Sequence, residues 1–341
     1  KIKKDPDFIR PEIRKNEILG FLKQPLEDLC ITRPKDRLKW GIPYPDAPDY
    51  VIYVWFDALI NYISGAGYVT DSSRFETLWP ADVHVVGKDI LRHHAVYWPI
   101  MLKAIGLEVP KTVIAHGWWT LGGSKVSKSS GNRVDPLELV EKYGVDAFRY
   151  FLLREVTVGY DGAFSEELVR QRYTTDLAND LGNLWFRLAS MLGKYFEGKT
   201  VETSQEVMGD PLIKETLALW EIVSEAMNNY DPRSALEKIW NVITQANQYV
   251  EQQKPWVLAK DQAKKQELKK TMAVLSECLA HLAVVLRFFL PSTSVAILER
   301  MKLDVSDHIY SHEDYHKPLL SPGIDVERGE ALFPRLDDEK G

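Results

Sequence analysis

Three short apolar runs between residues 50 and 160 constrain the fold of this chain more than any other feature. They occupy residues 50–55, 83–86 and 112–115, and turn-forming residues bound each run. The intervening residues 57–64 and 89–105 have helical character. Short continuous apolar runs that alternate with helices are typical of buried parallel strands. The pattern therefore predicts an α/β region built on part of a doubly wound parallel sheet.

A second pattern, three stripes of apolar residues, follows the α/β region. The residues recur at three- and four-residue steps, which is the spacing of one face of an amphipathic helix. The stripes are Leu177, Leu181, Leu184, Leu188 and Leu192; Leu236, Ile239, Trp240, Ile243, Ala246 and Val250; and Leu268, Met272, Leu275, Leu279, Leu282, Leu286 and Phe289. We predict an all-α helical bundle with these residues in its core. Pro291 is expected to end the last helix, and the polar segment from Lys302 onwards reads as a loop.

Composition and charge exclude several classes of protein. The hydrophobic fraction of 45% and the charged fraction of 27% are those of an ordinary globular chain. No apolar run approaches the ~20 residues that cross a membrane. The net charge of −6 argues against a nonspecific nucleic-acid binder, although a few placed side chains can still read RNA. Cys30 and Cys278 have no Cys-x2-Cys spacing, so we expect no zinc site and a reducing, cytoplasmic location.

Residues 122–132 form a loop that carries chemistry, with the sequence GGSKVSKSSGN. Glycines let the backbone approach a ligand, lysine ammonium groups suit phosphate oxygens, and serine hydroxyls add donors. The loop is not a Walker-type phosphate loop, because no Gly-x4-Gly-Lys-Ser/Thr run is present. On composition alone, a solvated surface loop explains it better than a triphosphate clamp.

Other candidate residues lie at the predicted strand ends and on the helices. Trp55, Gly87 and His116 fall at the carboxyl ends of the predicted strands, where ligands of such sheets bind. Asp89 can accept hydrogen bonds from ribose hydroxyls or cap a helix, and the two roles can coexist. Asn183 and Arg187 are four residues apart on one helix face. On their own, His116, Asn183 and Arg187 are better explained by structural and surface roles, whereas the two roles of Asp89 are about equally well supported.

Combined, these segments resemble one family. Residues 125–129, KVSKS, resemble the KMSKS signature of class I aminoacyl-tRNA synthetases, with Val126 in place of Met. Further segments are similar to those of methionyl-tRNA synthetases: WGIP at 40–43, VWFDALINY at 54–62, GKDI at 87–90, HAVYWP at 94–99, DGAFS at 161–165 and LFPR at 332–335. The similarity runs almost continuously from Phe8 to Arg335.

The resemblance implies a fold, a reaction and a set of site residues. The sheet would be the Rossmann-type catalytic fold, and the reaction would activate methionine with ATP and Mg²⁺ and transfer it to tRNA(Met). Lys125 and Lys128 would stabilise charge on the phosphates. The other implied contacts are Gly87, Asp89, His116, Ser127 and Lys128 to ATP; Trp55, Ala58, Leu59, Tyr62, Ile90 and His94 to methionine; and Asn183, Arg187 and Trp256 to the anticodon.

The sequence also departs from the family pattern. His93 stands where an aromatic residue is expected, and neither a His-x-Gly-His motif nor a zinc knuckle is present. We therefore expect a C-terminal portion that lacks the first half of the catalytic domain, with that N-terminal half as a possible partner. Residues 1–45 would end an inserted domain, residues 46–165 would complete the catalytic domain, and residues 166–341 would bind the anticodon. Alone, this chain would activate methionine very poorly or not at all.

Three alternatives stay open at the level of the sequence. The chain resembles other class I synthetases in its lysine–serine loop, although residues 54–62 favour methionine over leucine, isoleucine, valine or cysteine. A noncatalytic tRNA-binding fragment is the second alternative. A scaffold without any ligand is the third, and the lysine–serine loop argues against it.

Overall fold

The computed structural model describes residues 1–121, 134–306 and 310–336, together with the backbone of residues 124 and 125. The chain packs into two compact units. The first comprises Lys1–Thr120 and Val158–Gly162, and the second comprises Leu121–Thr157 and Ala163–Gly341. The domain boundaries expected after residues 45 and 165 rest on sequence patterns and stay a prediction.

The first unit combines short strands with helices. Its strands are β1 (Ile9–Arg10), β2 (Thr32–Pro34), β3 (Pro43–Tyr44), β4 (Ala47–Ile52), β5 (Val83–Gly87) and β6 (Thr112–His116). Its helices are α1 (Glu12–Phe21), α2 (Val54–Ala66), α3 (Ser72–Leu78) and α4 (Trp98–Ala104). Short strands β7 (Trp119–Leu121), β8 (Ser124–Lys125) and β9 (Gly162–Ala163) lie where the chain passes from one unit to the other.

A three-stranded parallel sheet organises the first unit. Strand β6 is central and pairs in parallel with β1 on one side and with β5 on the other. Two of the predicted strands, residues 83–86 and 112–115, are confirmed in this sheet. Gly87 and His116 lie opposite one another at its carboxyl edge, as predicted.

The first predicted strand, residues 50–55, is wrong in place and in partners. Strand β4 ends at Ile52 and pairs antiparallel with β2 and β3 in a separate sheet. Trp55 therefore lies in the first turn of α2 and not at a strand end. The third parallel strand is β1, which is only two residues long and leaves no periodic signal.

The predicted helix over residues 89–105 is a composite. It consists of a 3-10 turn over Lys88–Ile90, a π-helical turn over His93–Tyr97, and α4. Pro99 has no N–H for the carbonyl of Ala95, so a regular α-helix cannot run through this point. Asp89 lies within the 3-10 turn. Gly87, and not Asp89, occupies the N-cap position of this turn.

Two apolar clusters form the core of the first unit. One surrounds the parallel sheet and contains Phe8, Ile9, Ile18, Val86, Leu91, Ala95, Val113 and Ala115. The other joins α2 to α4 through Leu59, Ile63, Trp98 and Leu102. Trp55 and Tyr62 pack against the second cluster, so one face of α2 connects the core to the candidate site.

The second unit is helical, as predicted for residues 166–341, and it also contains Leu121–Thr157. Its helices are α5 (Pro136–Tyr143), α6 (Val145–Glu155), α7 (Glu166–Arg172), α8 (Asn183–Phe196), α9 (Gln205–Met208), α10 (Pro211–Leu217), α11 (Leu219–Asn228), α12 (Pro232–Gln253), α13 (Pro255–Leu258), α14 (Lys265–Leu286), α15 (Pro291–Arg300) and α16 (His312–Tyr315). A π-helical segment, Tyr173–Gly182, joins α7 to α8. A 3-10 turn, Gln262–Lys264, precedes α14.

All three apolar stripes are confirmed as core, because every residue in them is buried. Helix α14 exceeds the prediction: it is buried on all sides from Thr271 to Leu286, as a central helix of a bundle is. Its apolar surface is therefore wider than the stripe that the spacing predicted.

Proline marks helix starts in the second unit. Asp135, Asp210 and Asp231 each precede a proline and accept a hydrogen bond from a backbone N–H of the following helix. Pro291 also begins a helix, α15, because α14 already ends at Leu286. The expectation that Pro291 ends the last helix was therefore wrong.

The segment after Lys302 is not a free loop where it is described. Tyr315 is fully buried and donates a hydrogen bond to the carbonyl of Thr216. Tyr173 donates to the carbonyl of Pro334, and Trp185 donates to that of Arg328.

Within the described ranges, no helix combines the length and the apolar character that a membrane crossing requires.

Candidate functional site

One face of α2 presents the residues predicted for methionine. Ala58 and Leu59 lie three and four residues after Trp55, and four and three residues before Tyr62, so all four align along that face. Leu59 is 1% exposed and belongs to the core cluster, whereas Trp55, Ala58 and Tyr62 are half-buried. The helix therefore uses the same face for packing and for the candidate pocket.

His94 completes an aromatic and imidazole cluster with this face. The Tyr62 hydroxyl lies 2.9 Å from Nε2 of His94. The Trp55 ring meets the His94 ring edge-on, with 5.9 Å between centroids. The structure thus brings Trp55, Tyr62 and His94 together, as the methionine prediction requires.

The hydrogen bonds of His94 define its tautomer. Its Nδ1 lies 2.9 Å from the carbonyl oxygen of Ile90, which can only accept. In the neutral ring Nδ1 therefore carries the proton, and Nε2 accepts from Tyr62. The donors of both side chains are engaged, so neither donates to a ligand without breaking this chain of hydrogen bonds.

His93, which departs from the family pattern, still fills an aromatic position. Its ring stacks on Trp55 with centroids 4.5 Å apart and planes 27° from parallel. It also meets Tyr97 edge-on at 5.5 Å. An imidazole therefore supplies the flat surface expected of an aromatic side chain at this place.

His84 and Trp98 form a layer behind the pocket that the sequence analysis missed. His84 is buried on β5, its ring lies 4.4 Å from that of Tyr62, and its Nε2 accepts from Nε1 of Trp98 at 3.3 Å. His84 and Val86 are both buried, and Val85 between them is exposed. Side chains alternate between the two faces of a strand, so the two-residue step from Val86 to His84 is the signal that could have identified His84.

Burial keeps the imidazoles of this region neutral. It lowers the pKa of His84 to about 4, with a smaller contribution from His94. Burial also lowers the pKa of His94, against the opposing hydrogen bond to Ile90, and that of His93. The pKa of Tyr62 is raised by burial, so its hydroxyl keeps its proton. The candidate pocket therefore carries no formal charge on these groups near pH 7.

The carboxyl edge of the parallel sheet holds the residues predicted for ATP. A Cβ atom at Gly87 would lie 2.6 Å from Oδ1 of Asp89 and 3.7 Å from Cε1 of His116. Only glycine leaves this space open between the two strand ends. The structure therefore places Gly87, Asp89 and His116 side by side, with Asp89 and His116 exposed.

A second layer of polar residues, also missed in the sequence, holds this edge. Nζ of Lys88 lies 2.6 Å from Oδ2 of Asp161, and over the Trp118 ring at 4.2 Å from its centroid. The Trp118 backbone N–H donates to Asp161, and its indole N–H donates to Asp89 at 3.3 Å. Lys88 and the backbone of Trp118 hold the pKa of Asp161 below its usual range.

The lysine–serine loop lies mostly outside the described residues. Of Lys125 only the backbone is described, in β8, and Ser127 and Lys128 are not described. The predicted phosphate contacts of Lys125, Ser127 and Lys128 therefore stay predictions.

A separate groove in the second unit contains two of the predicted anticodon residues. It has a volume of about 400 Å³ and is lined by Asn179, Asp180, Asn183, Arg187, Thr244, Asn247, Gln248, Glu251 and Gln252. Asn183 begins α8, and Arg187 follows one turn later. Several of the lining side chains are amides that had no signal in the sequence: Asn179 lies in the π-helical segment, and Asn247, Gln248 and Gln252 lie on α12.

Trp256 lies beside this groove. This residue is 37% exposed at the start of α13, and the Arg187 guanidinium lies 5.9 Å from the centroid of its ring. Nη2 of Arg187 also lies 2.6 Å from Oε1 of Glu251. The structure therefore brings all three predicted anticodon residues to one surface, with Glu251 as an acidic partner of the arginine.

The charge of the groove favours base edges over phosphates. Asp180 and Glu251 line it together with neutral amides, and Arg187 is already paired. Burial and the nearby Asp176 raise the pKa of Asp180. Amides and an arginine can hydrogen-bond bases, and an exposed tryptophan can stack on one, without a strongly basic surface.

Comparison with known families and proteins points the same way. A family profile described as "tRNA synthetases class I (M)" matches residues 2–189, and one described as "Anticodon binding domain of methionyl tRNA ligase" matches residues 198–341. The methionine–tRNA ligase of Caldanaerobacter subterraneus is 47% identical over 337 residues, which are 98% of this chain and 52% of that protein. That of Bacillus subtilis is 43% identical over 343 residues, with 98% of this chain and 51% of that protein covered.

Solved structures agree with these relatives. Mycobacterium tuberculosis methionyl-tRNA synthetase bound by methionyl-adenylate matches with a TM-score of 0.88 at 38% identity, covering 97% of this chain and 65% of that chain. Its apo form matches with a TM-score of 0.86. This chain spans about half the length of the curated relatives that it matches. On the profile match over residues 2–189, the chain belongs to the methionyl group of the class I aminoacyl-tRNA synthetases.

Proposed function

We propose that this chain carries the methionine pocket, part of the nucleotide site and the anticodon-reading surface of a methionine–tRNA ligase. In the first step, a carboxylate oxygen of methionine attacks the α-phosphorus of ATP. The bond from that phosphorus to the bridging oxygen breaks, and pyrophosphate leaves. In the second step, a hydroxyl of the tRNA terminal ribose attacks the methionyl carbonyl, and AMP leaves.

The cluster of Trp55, Tyr62 and His94 carries this proposal. Methionine needs an apolar slot lined by flat or polarizable groups, and sulfur makes favourable contacts with aromatic rings. These three side chains provide such a surface without formal charge. Because the Tyr62 proton is directed to His94, we propose recognition of sulfur by ring contacts. A hydrogen bond to sulfur would require Tyr62 to release His94.

We propose that the sheet edge binds the nucleotide. Asp89 would accept from ribose hydroxyls, Gly87 would let the backbone approach, and His116 would lie near the phosphates. Lys125, Ser127 and Lys128 would contact the phosphates, and Mg²⁺ would arrive with ATP. Positioning and charge stabilisation are the main needs of this chemistry, and these residue types supply both.

We propose that the groove of the second unit reads the anticodon of tRNA(Met). Asn183 and Arg187 would contact base edges, and Trp256 would stack on an unpaired base. Residues 166–341 would then form the anticodon-binding domain, residues 46–165 the catalytic part, and residues 1–45 the end of an inserted domain. With tRNA and methionine as its substrates, we propose a cytoplasmic location for the chain.

Full activity is proposed to require parts of the enzyme that this chain does not cover. The relatives are about twice as long, and a separate N-terminal half would be the natural partner. A noncatalytic tRNA-binding chain is the second candidate function, because the anticodon groove lies entirely within one compact unit. Binding of tRNA without any methionine-dependent pyrophosphate exchange, even with the complementary half present, would favour that candidate.

A ligand competition tests the methionine proposal. The chain is titrated with methionine, norleucine and leucine while its tryptophan fluorescence is recorded. Methionine should bind most tightly, and norleucine, which replaces sulfur by a methylene, should bind more weakly. Leucine binding as tight as that of methionine would contradict the proposal and favour another class I synthetase.

A further inference from the structure

A cluster of three potential metal ligands lies in the second unit and shares no residue with the candidate sites described above. Among the residues that the structure describes, Glu221, His312 and His316 form a group whose ligand atoms all lie within 4.8 Å of one another. Glu221 belongs to α11, His312 begins α16, and His316 follows its last residue. The cysteine spacing predicts no zinc site, whereas His-x3-His at 312–316 is a spacing that metal sites use.

The distances within the cluster approach those of a coordination shell. Nε2 of His312 lies 2.7 Å from Oε1 of Glu221, and Nε2 of His316 lies 3.6 Å from the same oxygen. A tetrahedral zinc ion at about 2.1 Å from each ligand would set its ligand atoms about 3.4 Å apart. The distances from His312 and from His316 to Glu221 can both reach this spacing through small side-chain rotations, because the three side chains are 33% to 64% exposed.

The hydrogen bond of His316 orients its ring for such a role. Its Nδ1 lies 2.7 Å from the carbonyl oxygen of His312, so Nδ1 donates and the neutral ring keeps a lone pair on Nε2. That lone pair faces the carboxylate oxygen of Glu221. Two acceptors that face one another need a proton or a cation between them. An N–H of the second ring nitrogen directed to a carbonyl is also the usual support of a metal-bound histidine.

The surrounding packing holds the two histidines in place. Tyr315, between them in sequence, is fully buried and bonded to Thr216. Ser311 caps α16 by accepting from the N–H of Asp314. The His312 and His316 rings lie 4.3 Å apart and 37° from parallel. The backbone is therefore fixed before any ligand arrives, which lowers the entropic cost of binding.

We propose that Glu221, His312 and His316 bind one divalent transition-metal ion of the zinc type and thereby clamp the segment around α16 onto α11. Two imidazoles and one carboxylate form a donor set that zinc accepts readily, with a fourth position left for water. The simpler explanation is an ion pair between a protonated imidazole and Glu221, which would need no metal. The two explanations differ in what Zn²⁺ does to the protein.

Zinc titration of the full chain decides between them. Calorimetry in a buffer that does not bind metal should show one Zn²⁺ per chain, and Zn²⁺ should raise the thermal midpoint. His312→Ala, His316→Ala and Glu221→Gln should each weaken binding about tenfold or more. Glu313→Gln is the matched control, because Glu313 is on α16 beside His312 but pairs with Lys317. It should bind Zn²⁺ like the unaltered chain.

Three results would overturn the proposal. The first is the absence of saturable Zn²⁺ binding by the unaltered chain, which would leave only the ion pair. The second is unchanged binding in all three ligand variants. The third is loss of binding in His308→Ala with retention in the other variants, which would move the site to a residue outside the described ranges. Circular dichroism of each variant without metal separates loss of a ligand from loss of fold.

Discussion

At the scale of single residues, the candidate pocket depends on one chain of hydrogen bonds. Tyr62 donates to His94, and His94 donates to the carbonyl of Ile90. His94 is 1% exposed, so its Nε2 has no water to replace a lost partner. The sequence predicted that Tyr62 and His94 would lie together. It did not predict that Tyr62 would donate to His94 and His94 to the carbonyl of Ile90. Hydrogen-bond direction depends on the three-dimensional neighbours of each ring.

Tyr62→Phe should lower both stability and methionine affinity. Loss of the hydroxyl leaves Nε2 of His94 without a partner, which costs about 1–3 kcal/mol for a buried group. Urea unfolding and methionine titration measure the two effects. Tyr53→Phe is the matched control, because its hydroxyl lies 3.4 Å from His93 and makes a weaker bond. Equal losses in the two variants would contradict the role given to Tyr62.

His84 should make the stability of the chain fall as the pH drops from about 6.5 to about 4. Its pKa is lowered to about 4 in the folded state, so the unfolded chain binds its proton first. The slope is at most about 1.4 kcal/mol per pH unit for one such group. Urea midpoints at pH 7 and pH 5 should therefore differ less in His84→Gln than in the unaltered chain. A difference as large in the variant would exclude His84 as a source.

At the scale of elements, periodicity predicted the helices well and the sheet only in part. Buried stripes in α8, α12 and α14 were read directly from three- and four-residue spacing. The strand at residues 50–55 was misplaced, because an apolar run does not reveal its pairing partner. The face of α8 that carries Asn183 and Arg187 was predicted, whereas the amides that α12 adds to the groove appear only when the helices pack. Sequence spacing shows one helix face but not the face opposite it.

Glu277→Ala should destabilise the second unit strongly. Its carboxylate is fully buried on α14 and accepts hydrogen bonds from the hydroxyl of Thr203 and from the N–H groups of Leu319 and Leu320. Truncation leaves the buried N–H of Leu320 and the part-buried donors of Leu319 and Thr203 unpaired, and an unpaired buried donor costs about 1–3 kcal/mol. Unfolding in urea measures the loss, and Glu299→Ala, an exposed position on α15, is the control. Similar midpoints for the two variants would show that Glu277 does not anchor the segment.

Arg187→Ala and Trp256→Ala should weaken binding of a tRNA with a CAU anticodon. Loss of a stacked base costs about 1–3 kcal/mol, which corresponds to a roughly 10- to 100-fold loss of affinity. Filter binding measures it. Arg233→Ala is the matched control, because Arg233 also lies in an arginine–glutamate pair, with Glu237, on α12. An equal loss in the control would indicate a general charge effect and not anticodon reading.

At the scale of the whole molecule, the described residues of the methionine pocket and of the sheet edge belong to the first unit, and the anticodon groove belongs to the second. The order of an α/β region and a helical region could be predicted from the sequence, as could the family. The position of the lysine–serine loop relative to the sheet edge could not be predicted from the sequence, because a glycine-rich loop has no periodic constraint. The proposal for the whole enzyme therefore depends on the pocket and the sheet edge.

A crystal structure of the chain with a nonhydrolysable methionyl-adenylate analogue tests the central claim most directly. We predict the thioether sulfur in contact with Trp55, Tyr62 and His94, and the ribose hydroxyls on Asp89 beside Gly87. A sulfur atom bound elsewhere, or a ribose remote from Asp89, would contradict the account.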